Sequence, residues 1–462
     1  MRETHLRKGR QTVKLGLIKV IHDIFPDYKL KTSYSIMEGV FCNLDDSILS
    51  VREVKLIRQK LIEWVEHKSP IELLNRKDGF YQYKVGDLVI KSIYPTNLNS
   101  EEVEPFEIFP FSYGFIVDFS NINRENGEML IPPYRLSAAY EKNQRWMNNI
   151  NIELVSDINS FIDSGKSQKL INISEALHEK EISDIADMIL QQRRTLRVLL
   201  IAGPSSSGKT SFAQRLSTQL EVNGLKPVSL SLDDYFVDRD KTPIDEYGNY
   251  DLDSIDALDI DYMLEQISSL IIGETVNTPI YDFITGSRSK ETKCLSLNSS
   301  EILVIEGIHA LNPRLMTNIS RNIYFKIYVS ALGGLNIDLQ SRLPTTEIRL
   351  IRRLVRDDRY RGTGPETTFE RWVNVRKSEY INIFSYQEEA DVMFNSSMLY
   401  EMNVLRPFAE ETLKKIVKNS PFYETKERLM NLLSFFEPMD AEKIPFNSIL
   451  REFIGGSIYF HV

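Results

Sequence analysis

Apolar positions follow two different rhythms along the 462-residue chain. Residues 15–25 place Leu15, Leu17, Ile18, Ile21 and Ile24 among charges, the pattern of an amphipathic helix. Residues 51–67 repeat it, with Val54, Ile57, Leu61, Ile62 and Val65 three or four positions apart. Residues 80–85 and 88–94 read as strands, and 106–117 are rich in aromatics and Pro. These mixed signals predict an α+β region over 1–155, followed by a helical connector over 156–195. From 196 onward the rhythm becomes strand, helix, strand. The strand candidates 198–202, 228–232, 301–306 and 325–330 are separated by helical stretches. That alternation of strand and helix argues for a sheet covered on both faces, hence an α/β domain with a mostly parallel sheet and flanking helices over 196–420. Residues 421–462 are expected to be a C-terminal extension. In parallel sheets ligands gather beyond the carboxyl ends of the strands, which directs attention to the residues after each run.

Composition narrows the class. A net charge of -9 argues against a general nucleic-acid binder, though it leaves a local basic groove open. Cys42 and Cys294 are too few for a disulfide framework or a cysteine zinc site, which fits a reducing compartment. The longest apolar runs fall short of the ~18 residues that span a bilayer. The basic start lacks a signal-type apolar core, so a soluble cytoplasmic protein is expected.

The run 198–202 is followed by Gly203-Pro-Ser-Ser-Ser-Gly-Lys-Thr210, a complete G-x-x-x-x-G-K-[ST] loop. A helical segment follows, with Phe212, Ala213, Leu216 and Leu220 on one face and Asn223-Gly224 as a stop. In this context Gly203, Ser205, Ser206, Ser207 and Gly208 form a turn whose N–H groups can point at phosphate oxygens. Lys209 supplies a point charge, Thr210 offers a hydroxyl to Mg²⁺, and the helix N-terminus adds favourable dipole. The ligand class is a nucleoside triphosphate.

Carboxylates stand after the next strands. Asp233 is placed to orient an acceptor hydroxyl and take its proton; a turn or helix cap is the competing reading, for Asp234 more so. Glu306-Gly307 has the form of a Mg²⁺-associated carboxylate ending a strand, with Gly307 allowing a close approach to ligand. His309 reads as structural. The acidic stretch 250–259 is compatible with a solvated helix start or with carboxylates that hold ribose hydroxyls. Arg349, Arg352, Arg353, Arg356, Arg359 and Arg361 crowd ahead of Gly362-Thr-Gly364. The run suits a lid over transferring phosphates, centred on Arg353 and Arg356, with a solvated basic helix or an RNA contact as competing readings.

Together, Gly203–Thr210, Asp233-Asp-Tyr-Phe236, Pro279-Ile-Tyr-Asp-Phe283, Ile305-Glu-Gly307 and Arg352-Arg-Leu-Val-Arg-Asp357 resemble the uridine kinase and phosphoribulokinase family over roughly 196–415. The resemblance implies ATP and Mg²⁺ as cofactors and a small-molecule nucleoside as acceptor. It implies Asp233 as catalytic base and metal neighbour, with Lys209, Arg353 and Arg356 in catalysis and Thr210 and Glu306 completing the metal environment. Asp253 matches the ribose-binding carboxylate, Tyr281 the aromatic near the base, and Arg288 lies close to the same pocket. Gly286 stands where uridine–cytidine kinases carry a His that reads the pyrimidine edge, and Phe236 replaces a Tyr. The N-terminal region, including His5-Leu-Arg-Lys-Gly-Arg-Gln11 and Tyr34-Ser-Ile-Met-Glu-Gly-Val-Phe-Cys42, is similar to the additional domain of threonyl-tRNA synthetases. The six histidines form no i, i+4 pair, so zinc-dependent editing is not expected there, and an RNA contact is the function left open. A homo-oligomer without membrane attachment is expected.

Overall fold

In a computed structural model, the described residues are 2–36, 38–45, 47–120, 133–244, 248, 250–282, 285–317 and 319–459. Phe283 and His461 lie outside them, as does the side chain of His5. Packing divides the chain into two compact units, both discontinuous. The first comprises Met1–Ser167, Gly333–Ile348 and Met402–Met439; the second comprises Gln168–Leu332, Arg349–Glu401 and Asp440–Val462. This division differs from the contiguous segments expected from the sequence, because stretches distant in the chain pack into each core.

The first unit begins with α1 (Arg2–Ile24), β1 (Leu30–Ile36), β2 (Gly39–Leu44) and α2 (Val51–Glu66). β3 (Ile71–Lys77), β4 (Phe80–Val85) and β5 (Leu88–Ser92) form a separate three-stranded sheet. β6 (Glu107–Phe111) and β7 (Gly114–Asp118) join the first pair in the antiparallel order β1-β2-β7-β6, and α3 (Tyr134–Asn149) and α4 (Val155–Asp163) follow. α2 starts at a capping box: Glu53 N–H donates to Ser50 Oγ at 3.3 Å and Ser50 N–H to the Glu53 carboxylate at 2.7 Å. Its Val54, Ile57 and Leu61 meet Val13, Leu17 and Ile21 of α1 in one core. Gly16 makes the approach of the two helices close, since a Cβ there would lie 2.3 Å from the Trp64 ring. The returning segments are tied in by polar contacts. Asn336 donates to Thr32 O at 2.8 Å, and Asn431 to Gly79 O at 2.9 Å. Burial would raise the pKa of Glu347, but Arg428 and Arg7 outweigh it and hold the carboxyl down at about 2.

The second unit opens with α5 (Ser167–Gln191), β8 (Val198–Ala202), α6 (Lys209–Val222) and β9 (Lys226–Ser231). α7 (Ile260–Ile271), the short strands β10 (Val276–Thr278), β11 (Tyr281–Asp282), β12 (Ser287–Arg288) and β13 (Lys293–Leu295), then β14 (Glu301–Glu306) and β15 (Tyr324–Ser330) come next. α8 (Thr345–Tyr360), α9 (Pro365–Asn382) and β16 (Val392–Asn395) complete its sheet region. α12 (Arg451–Ile454) also belongs to this unit, whereas α10 (Glu401–Lys414) beyond its first residue and α11 (Tyr423–Leu433) belong to the first. The sheet order is β16-β15-β8-β14-β9, with every pair parallel. The expected α/β class, preceded by an α+β region, is what the chain forms. β8 is buried at all five positions because strands flank it on both sides and layers cover both faces. The chain moves from β8 toward β9 on one side and later crosses from β14 to β15 on the other. The carboxyl end of β8 is therefore the topological switch point.

Gly16→Ala drives a methyl into Trp64 and is expected to destabilise the protein by about 1–3 kcal/mol. Gly16→Ala combined with Trp64→Leu should recover most of that loss in thermal melts; equal melting of single and double variants would refute the close approach.

Candidate active site

The loop after β8 reverses the chain tightly. Ser206 and Gly208 have φ of +59° and +82°, in the left-handed region. Gly203 has no room for a side chain, since a Cβ would stand 2.1 Å from Val329 O. At Gly208 a Cβ would meet Ile449 at 2.5 Å, so that position is closed on steric as well as conformational grounds. Two loop N–H groups are engaged within the protein: Ser205 with Glu379 at 3.1 Å and Ser207 with Pro204 O at 3.1 Å. Those of Ser206, Gly208, Lys209 and Thr210 find no acceptor among the described residues. A row of unpaired donors at a helix N-terminus suits an anion with several oxygens, so the loop fits a polyphosphate.

The loop is held from behind by buried charge. Arg349 is 1% exposed, pairs with both oxygens of Glu379, and donates to Ser205 O at 3.1 Å. Arg352 is fully buried and binds Glu401, while donating to Ser396 O at 2.8 Å and to the Ser206 and Ser207 carbonyls at 3.4 Å. The arginine run therefore divides. Arg349 and Arg352 brace the loop, and only part of the run is left for a lid. Arg353 reaches Ser205 Oγ at 2.9 Å and pairs with Asp357 at 3.2 Å. Arg356 also pairs with Asp357, at 2.9 Å. Helical periodicity brought these arginines to notice, but it could not show which ones face inward.

Carboxylates converge on the same end of the sheet. Thr210 Oγ1 lies 3.4 Å from Glu306 Oε2, a hydroxyl–carboxylate pair at the end of β14. Such hard oxygens fit Mg²⁺, which takes few ligands from protein and the rest from phosphate and water. Burial pushes the Glu306 carboxyl up to about 7, with Asp233 and Glu452 adding to the rise and Lys209 and Thr210 opposing it. Asp233 follows β9, its N–H capped by Ser231 Oγ at 3.3 Å. Asp253 is pushed up to about 6 by burial, against the pull of Arg353. The negative charge of Asp233 bears on both Glu306 and Asp253, which places the three carboxylates in one electrostatic cluster. Gly307 admits Leu232, whose Cβ would be 2.6 Å from an added Cβ; the close approach there is a packing contact. His309 is buried, and burial lowers its imidazole to about 4, leaving it neutral.

Residues expected on the acceptor side also come together. Tyr281 lies 5.5 Å from the Phe236 ring, and its N–H donates to Asp234 at 3.3 Å. Arg288 donates to Asp259 and to the Tyr235 O at 3.0 Å each, and to Phe236 O at 3.1 Å. Its guanidinium thus fastens the β11–β12 hairpin to the segment after β9. Gly286 has φ of +69°, and a Cβ there would stand 2.6 Å from the Arg239 guanidinium. Sequence reasoning missed Glu379, Glu401 and Glu452, whose partners lie far away along the chain. Glu452 of the C-terminal segment accepts from Ser211 Oγ at 2.7 Å, beside the first turn of α6.

A triphosphate loop at the switch point of a parallel sheet, backed by a carboxylate cluster, defines a P-loop phosphotransferase. Residues 198–401 match the model of the Phosphoribulokinase / Uridine kinase family, so this part of the chain is a P-loop domain of that family. Uridine kinase of Staphylococcus haemolyticus (strain JCSC1435) is 29% identical over 180 residues, 39% of this chain and 77% of that protein. Uridine kinase of Bacillus subtilis (strain 168) is 29% identical over 178 residues, 38% of this chain and 75% of that protein. The solved structure of a possible uridine kinase from Bacillus stearothermophilus aligns with 46% of this chain and 99% of its own, at 21% identity and a TM-score of 0.32. Family and relatives make the protein an ATP-dependent phosphotransferase. No helix among the described residues is long and apolar enough to cross a membrane.

Glu379→Ala leaves Arg349 buried without its partner and is expected to cost about 3–5 kcal/mol in urea melts, against little change if the pair were solvated. Glu306 ionises near 4.5 when unfolded but near 7 when folded, so the folded state binds the extra proton between these values. Its contribution to stability therefore falls as pH rises through that window. Glu306→Gln, neutral throughout, should raise Tm of the metal-free protein at about pH 8 and change it little at about pH 4. An equal effect at both values would contradict the raised pKa.

Proposed function

We propose that the second unit transfers the γ-phosphoryl group of ATP to the 5′-hydroxyl of a nucleoside, with uridine as the default acceptor. The observation that carries this reading is the row of unpaired N–H groups at Ser206, Gly208, Lys209 and Thr210, set beside the Asp233–Glu306–Asp253 cluster. In this reading the loop amides and Lys209 hold the phosphates in one orientation, and their fixed dipoles favour charge as it builds on the transferring oxygens. Asp233 orients the acceptor hydroxyl and takes its proton late in the transfer. Asp253, pushed up by burial, holds the sugar hydroxyls, and Tyr281 with Phe236 flanks the base. Arg353, joined to the loop through Ser205 Oγ, and Arg356 add positive charge over the phosphates. Thr210 and Glu306, with Asp233 adjacent, would hold Mg²⁺, whose charge neutralises the phosphates when bound.

One observation favours a second acceptor class. Gly286 removes a side chain where Arg239 stands, and the Arg239 charge acts on the Tyr281 hydroxyl. A guanidinium at that point of the acceptor side suits an alcohol that already carries an anionic group, such as a sugar phosphate.

Purified protein incubated with ATP, Mg²⁺ and a panel of nucleosides and sugar phosphates, with products read by mass, separates the two. A nucleoside monophosphate supports the first reading and a sugar bisphosphate the second. No product from any acceptor, together with tight tRNA binding, would overturn both. Lys209→Ala should abolish turnover, and Asp233→Asn should lower kcat by about 10²–10⁴-fold. Arg239→Ala should raise KM for a sugar phosphate about tenfold or more while leaving that for uridine nearly unchanged.

A further inference from the structure

The first unit holds a cavity of about 180 Å³, lined by residues of that unit alone. Val13, Leu17 and Phe119 give it apolar wall, and Lys14, Arg342 and Tyr94 give it polar wall. Arg10 also lines it but is satisfied, donating to Glu104 at 2.7 Å and Glu38 at 3.0 Å. Arg342 is not. Arg342 buries Nη1 with no hydrogen-bond partner, and neither Arg342 nor Lys14 forms an ion pair among the described residues. Burial lowers Lys14 to about 8, against the upward pull of Asp338 and Cys42, with Arg342 adding the least to the fall. Asp338 is itself engaged, accepting the N–H groups of Gln340 and Ser341 at 2.8 and 2.7 Å. Cys42 cannot supply the missing negative charge, since burial pushes its thiol up to about 12. Two further buried atoms facing this region, Tyr94 OH and Gln11 Oε1, also lack partners.

Unpaired buried polar atoms are few in folded proteins, and an uncompensated buried cation is among the costliest. Here one ammonium, one guanidinium and one phenol hydroxyl meet at a single partly apolar cavity. That combination is complementary to an acidic group attached to an apolar body. We propose that this cavity binds a small organic anion, one carboxylate or phosphate on an apolar body, with its charge held by Lys14 and Arg342 and a hydrogen bond from Tyr94.

Calorimetric titration of the full chain with benzoate, phenyl phosphate and the uncharged benzamide tests the proposal. The same titrations in Lys209→Ala protein remove any contribution from the phosphate loop. Saturable binding of benzoate or phenyl phosphate is expected in both proteins, with benzamide about tenfold weaker or worse. The preferred anion of the two identifies the acidic group. Lys14→Met and Arg342→Met should each weaken anion binding by about tenfold or more. Without ligand, Lys14→Met should melt no lower than the parent protein, because it removes a partly buried charge that forms no ion pair. Should Arg342→Met fail to fold, Tyr94→Phe keeps the ring and should still weaken binding several-fold. Failure of both anions to bind, or binding that survives Lys14→Met and Tyr94→Phe, would overturn the proposal.

Discussion

The phosphate loop depends on two buried ion pairs behind it, Arg349–Glu379 and Arg352–Glu401. A loop containing Ser206 and Gly208 at positive φ has many other conformations available. The guanidinia exclude most of them by binding the Ser205, Ser206 and Ser207 carbonyls, while Glu379 takes the Ser205 N–H. With carbonyls turned toward the arginines, the remaining amides face the other way and stay unpaired. A buried pair of this kind adds little net stability against an apolar replacement, because desolvation offsets the attraction. Its value here is geometric. It fixes the donors before any phosphate arrives, so binding does not have to order them.

The same electrostatics places the carboxylates in a demanding position. Burial, with the charge of Asp233 adding to it, raises Asp253 and Glu306 well above ordinary carboxylate values. Such raised groups are typical of sites built to receive positive charge or a proton, and both are supplied in the proposed transfer. The first unit shows both outcomes of burying charge. Glu347 is paired twice and stays ionised, whereas Lys14 and Arg342 line a cavity without forming an ion pair among the described residues. The paired case reads as architecture, and the unpaired one is the basis of the proposed anion site.

Much of this was legible in the chain. The helix of 51–67 and the runs at 198–202, 301–306 and 325–330 appear close to where periodicity placed them, because burial on one face or two leaves a direct imprint on residue order. The G-x-x-x-x-G-K-[ST] pattern was equally direct, since its conformation requires particular residues at particular spacings. Glu379, Glu401 and Glu452 left no such imprint. Each acts through a partner distant in sequence, and an acidic residue on a helix looks the same whether it faces water or a buried arginine. The discontinuous units were invisible for the same reason.

The sequence by itself determined the fold class, the phosphate loop and the identity of the carboxylates at the strand ends, all of which are written in local spacing. Only the tertiary structure decided how those groups are used. It sent Arg349 and Arg352 behind the loop and tied Arg288 to Asp259. It also set Arg239 against Gly286, and left Lys14 and Arg342 unpaired around one cavity. The physical reason is that hydrogen-bond and charge satisfaction is settled between elements brought together by packing, and residue order does not record which elements those are.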